Sequence, residues 1–136
     1  MRRAALLALA LAACSDDGGG PVDASLVDAV PREVVMTSRL FDVGEGVEGI
    51  MTGGPSDHAV ITLSAPTPDM DWNIHAHPNG GTTVIDEAFK QTSLDAYVFT
   101  PPEQEQWYLL IRNSGLTDLT IDIKIELFGE MTWEWQ

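Results

Sequence analysis

The stretch Leu119–Leu127, "LTIDIKIEL", decides the fold. Leu119, Ile121, Ile123, Ile125 and Leu127 are apolar, and Thr120, Asp122, Lys124 and Glu126 between them are polar. Successive side chains of a strand point to opposite faces, so a period of two over this length describes an antiparallel strand with one face on a core and one in water. A helix would space its apolar residues by three and four instead.

Working outward, similar runs occur at 33–42, 58–65, 71–77, 82–86, 94–99 and 106–112, with a last short run at 131–135. Between them lie "GGPSD", "APTPD", "PNGG", "TPPEQE" and "NSGLTD", all rich in residues that punctuate turns. In "PNGG" (Pro78–Gly81) the Asn-Gly pair supplies the positive φ values of a type I′ turn, so it should join the strand at 71–77 to the next as a hairpin. The one helical candidate, "DEAFKQTS" at 86–93, is short and polar. Seven or eight short strands with turn signals at nearly every gap predict an all-β fold, an antiparallel two-sheet β-sandwich of jelly-roll-like form over residues 33–136.

The beginning of the chain reads differently. "MRRAALLALALAACSDD" places two arginines before an Ala/Leu run from Ala4 to Ala13. That is a charged n-region and an h-region of about 10 residues, half of the roughly 20 a spanning helix needs. "LAAC" (Leu11–Cys14) resembles the lipobox of bacterial lipoproteins. The resemblance implies cleavage after residue 13, acylation of the Cys14 thiol, and membrane attachment through the lipid. Ser15 rather than Asp at the next position points, within that family, to the outer more than the inner membrane. Cys14 is the only cysteine, so once acylated it leaves no thiolate for a disulfide, a nucleophile or a metal. Residues 14–32 read as an acidic, Gly/Pro-rich tether, spanning about 24 Å root-mean-square for a flexible segment of this length.

The chain carries 21 acidic and 7 basic side chains, a net charge of −14. Loss of Arg2 and Arg3 with the leader would deepen this to −16. Such a balance repels nucleic acid and anionic headgroups, leaving neutral, cationic or metallic partners, or else a charge that serves solubility alone.

"WNIHAHP" (Trp72–Pro78) holds two of the three histidines. Alternation puts Trp72, Ile74 and Ala76 on the core face and His75 and His77 on the other, about 6.5–7 Å apart along the strand. Two imidazoles at that spacing can converge on one ion. His58 should also face outward as a third ligand, with Asp57, Asp69, Asp71, Asp86 or Glu87 completing the set and Met70 available to copper. With no cysteine the candidate ion is Zn²⁺ or Cu²⁺. The competing expectation is three solvated histidines on a wet sheet face and no cofactor. In "GEMTWEWQ", Met131, Trp133 and Trp135 share one face. They either close the core or expose Trp133 and Trp135 as a glycan-stacking platform. No G-x-S-x-G, H-E-x-x-H, P-loop or dinucleotide fingerprint proposes an enzyme.

The segment "EQWYLLIRNSGLTDLTIDIKIEL" (Glu105–Leu127), through Trp107, Tyr108, Leu110, Arg112 and Asn113, resembles the end of GOLD-type and prepeptidase-C-terminal-type β-sandwich modules. That resemblance implies a binding or accessory module without catalytic residues. The combined expectation is a lipid-anchored, non-enzymatic sandwich meeting an envelope protein or glycan. The alternatives are a periplasmic Zn/Cu-binding protein and a glycan-binding module.

Overall fold

A computed structural model describes residues 30–136; the leader, Cys14 and all but the last three residues of the expected tether lie outside them. The alternating runs become β1 (Glu33–Phe41), β2 (Gly46–Gly53), β3 (His58–Ser64), β4 (Met70–Ala76), β5 (Thr83–Gln91), β6 (Ser93–Phe99), β7 (Glu105–Asn113), β8 (Leu119–Phe128) and β9 (Thr132–Trp135). They form two antiparallel sheets, β1-β8-β3-β6 and β5-β4-β7-β2-β9. The chain moves repeatedly from one sheet to the other, so the inner faces share one core. Leu119, Ile121, Ile123, Ile125 and Leu127 of β8 are all buried there, with Phe41, Ile61, Leu63, Phe99, Trp107 and Ile111. No helix of the described residues is long and apolar enough to cross a membrane.

Nine strands replace the expected seven or eight. The additional one is β2, "GVEGIMTG", where three glycines break the apolar rhythm that marks the others. Gly49 is small for a reason: a Cβ on it would collide with the indole of Trp133, which lies across it from β9. The helical candidate at 86–93 is instead the second half of β5, the connection at Thr92 and the start of β6.

The turn at Pro78–Gly81 has the expected type I′ backbone. Asn79 has φ 53° and ψ 31°, Gly80 has φ 78°, and the Gly81 amide donates to the Pro78 carbonyl at 3.0 Å. His77 and Thr82 lengthen the loop between β4 and β5 beyond two residues.

Two buried polar side chains fix the ends of the sandwich. The Asn113 amide nitrogen donates to the carbonyls of Phe41, Asp42 and Thr117, and its oxygen accepts from the Gly115 amide at 2.9 Å, tying the β1–β2 connection to the β7–β8 turn. At the opposite turns, Asp57 accepts from the amides of Gly54 at 2.9 Å and Glu130 at 2.8 Å. The Glu130 and Gly54 amides hold the Asp57 carboxyl below its ordinary pKa, outweighing its burial. Gly129, at φ 74°, leaves no room for a Cβ beside that carboxylate.

Candidate functional site on the outer face of the five-stranded sheet

β4 presents Met70, Trp72, Ile74 and Ala76 to the core. The intervening Asp71, Asn73 and His75 therefore stand on the outer face of the sheet. There, His75 lies opposite Tyr108 of β7 and Val84 of β5, Asn73 opposite Leu110 and Glu87, and Asp71 opposite Arg112. Glu48 of β2, one strand further on, also faces Leu110.

These registers assemble three rings. His75 stacks on Tyr108 with centroids 5.4 Å apart and planes 19° apart, and His77 meets His75 edge-on at 4.8 Å and Tyr108 at 5.1 Å. His75 Nδ1 is 2.7 Å from Asn73 Oδ1, a donating contact in the tautomer protonated there. Its Nε2 then faces Glu48 Oε1 at 3.5 Å. The His75 side chain is only 8% exposed. Burial pulls its pKa below the ordinary histidine value; the Glu48 carboxylate opposes that pull and His77 adds to it. His77 is exposed, with Nδ1 at 3.2 Å from Thr82 Oγ1 and 3.3 Å from the Gly81 carbonyl.

Beside the rings lies a second polar knot. Asp71 accepts from Arg112 Nη2 at 2.8 Å, the Lys90 amide at 2.9 Å and the Ser114 hydroxyl at 2.8 Å. Burial alone would push the Asp71 carboxyl up, but these three donors together hold it below its usual value. Exposed Val84 and Phe89 flank the face from β5. Such a surface offers stacking, apolar contact and hydrogen bonding to a partner.

The three histidines do not converge. His58 sits in the other sheet, stacked flat on Phe128 with centroids 4.3 Å apart, and its Nε2 is buried without a partner. Burial lowers its pKa, partly countered by Asp57. Met70 is fully buried in the core, away from the face carrying the histidines. Among the described residues no group of three His, Cys, Asp or Glu could hold a metal ion. Of the three histidines expected on a wet face, His77 is exposed, while His58 and His75 are buried, because Phe128 covers one and Tyr108 and His77 cover the other. Strand alternation reports which side of a sheet a residue is on, and neighbouring rings decide whether water reaches it.

At the C-terminal end, Trp133 packs half-buried against the core, its Nε1 without a partner, and Trp135 meets it edge-on at 5.0 Å. Met131 is fully buried. Trp135 is 39% exposed and Trp133 half-buried, an arrangement nearer to the core-closing alternative than to the two-ring platform. Tyr108, Asn73 and Glu48 are the site residues that sequence reasoning did not assign. Tyr108 was within reach of it, since β7 alternates and its odd positions carry Trp107, Leu109 and Ile111; Glu48 lay hidden in the glycine-broken β2.

No protein-family model matches the chain, and no curated protein matches it in sequence. Among solved structures it is similar to PliG of Aeromonas hydrophila, a periplasmic lysozyme inhibitor of g-type lysozyme, with a TM-score of 0.50 and 8% identity. The match covers 69% of this chain and 85% of that one, and at such identity it concerns the fold alone.

Proposed function

We propose that this chain is a non-enzymatic β-sandwich of the cell envelope, anchored through acylated Cys14, that captures a protein partner bearing basic groups. The observation that carries the reading is the fate of its cations. Every Lys and Arg among the described residues is ion-paired with a carboxylate of the same chain: Arg32 with Glu130, Arg39 with Glu45, Lys90 with Asp69, Arg112 with Asp71 and Lys124 with Glu126. Apart from the buried Asp57, the surplus carboxylates among the described residues have no Lys or Arg partner to neutralise them, and such a field steers a positively charged partner inward. The outer face of the five-stranded sheet, with Tyr108, His77, Phe89 and Glu48, supplies the contact surface.

That a solved structure of similar fold is a periplasmic lysozyme inhibitor supports a protein as the partner, and a g-type lysozyme is the first to try. The test measures binding of the chain to a g-type lysozyme and to other cationic envelope proteins, together with residual muramidase activity. Micromolar or tighter binding that weakens at least about tenfold from low salt to 0.5 M is the expected outcome. Binding that is absent, or indifferent to salt, rejects the charge-led reading. The anchor has its own test: Cys14→Ala should abolish labelled-palmitate incorporation and release the chain from the membrane fraction.

A further inference from the structure

A β-sandwich has four strand edges, and a free edge is a row of unpaired amides and carbonyls that invites another strand unless something blunts it. Three of the four edges here are blunted. β5 slips register twice against β4 and holds Lys90 at φ 57°. β6 slips against β3 and holds Ala96 at φ 48°. β9 is only four residues long.

The fourth edge is β1, and it has none of these devices. It pairs with β8 residue for residue from Glu33 to Phe41 without a slip. Its nine residues include no proline and no lysine. Its outward positions Val34, Met36 and Leu40 are 44%, 73% and 60% exposed, an apolar row on an otherwise strongly acidic molecule.

We propose that two copies of the chain join antiparallel along β1, about a two-fold axis at Thr37, into one continuous eight-stranded sheet. The sequence of β1 is self-complementary in that register. Val34 falls opposite Leu40 of the partner copy, and Met36 opposite Ser38, so apolar meets apolar or neutral on the outer face. Glu33 falls diagonally beside Arg39 of the other copy, twice by symmetry; Arg39 keeps its Glu45 partner within its own chain, so the approach sets opposite charges near each other on a strand that carries no others. Two chains of net charge −14 repel over most of their surface, and β1, with one acid and one base, is a strip where they need not. This inference is independent of the lysozyme reading, since it concerns the other sheet and another readout.

The experiment uses the full-length chain extracted in mild detergent, with light scattering corrected for bound detergent. Two chains per particle are expected, and one after Met36→Lys/Leu40→Lys, which places at the edge the charged side chains that blunt natural edges. Both positions are solvent-exposed, and Met36→Lys alone guards against a folding defect in the pair, checked by circular dichroism. Thr37→Cys, oxidised in native membranes, should give a covalent dimer, because directly opposed Cα atoms lie about 4.5–5.5 Å apart, within disulfide reach. The parent chain, with Cys14 alone, is the control. A single-chain mass, a dimer unmoved by the lysines, or no Thr37→Cys cross-link overturns the proposal and leaves the edge to residues 1–29 or to a strand of a different protein.

Discussion

β8 and β4 occupy equivalent places, each next to an edge strand of its sheet, yet their outer faces differ. On β8 the outward Thr120 and Asp122 are exposed and Lys124 and Glu126 partly so. On β4 the outward Asp71 and His75 are buried and Asn73 is half-buried. Position in the sheet does not produce the difference; the neighbours do. Tyr108, His77 and Arg112 roof the middle of the β4 side, whereas among the described residues the ring stack on β8 is confined to its last residue, Phe128, under His58. Outward polar residues on β8 are therefore expected to be interchangeable, and those on β4 to be committed to partners.

The largest test of that contrast is Asp71→Ala against Asp122→Ala. Removing Asp71 leaves the Lys90 amide, the Ser114 hydroxyl and Arg112 without their common acceptor. With Arg112 half in water, the cost should be about 2–3 kcal/mol in a denaturant titration, against at most about 0.5 kcal/mol for Asp122→Ala. Equal costs would erase the distinction.

Acid should act next. The folded pKa values of His75 and His58 both lie below the unfolded value near 6.5, so the unfolded chain binds protons first. Their contribution is fully present above about pH 6.5 and is lost as pH falls toward the lowered folded values. A melting series from pH 7.5 to 4.5 should show stability falling in that window. His58→Phe, which keeps the stack on Phe128 and removes the partnerless Nε2, should flatten part of the fall; an unchanged slope would show that His58 does not contribute. Asp57 and Asp71 have depressed values, so their losses belong below about pH 3.8.

The smallest effect should be Glu48→Gln. It removes the carboxylate that favours the His75 cation, so the His75 pKa, followed by NMR, should drop further while stability at pH 7.5 changes by less than about 0.5 kcal/mol. A rise in that pKa would mean that the contact is not electrostatic.

β8 was legible in the sequence because both of its faces obey one rule, and so were the two-sheet class and the Asn-Gly turn. β2 was not, because Gly49 answers to Trp133, a residue more than 80 positions away in the chain. The histidines were legible as to side and illegible as to burial. His75 is covered by Tyr108 from another strand, and no local periodicity encodes that register. His58 illustrates the same limit, since its cover, Phe128, belongs to the far end of the chain.

The pairing of β1 with β8, and of β2 with β7 and β9, has a consequence for the order in which the molecule comes into being. The first two strands of the described residues find these partners only when the last third of the chain has emerged. Until then β1 lacks the strand it pairs with in the folded sheet, and neither sheet can close. The sandwich thus cannot assemble from its N-terminus as it is synthesised; it must wait for the whole length and then close non-local loops, which predicts slow folding for its size. A chain delivered through a narrow pore would meet no folded obstacle of its own making.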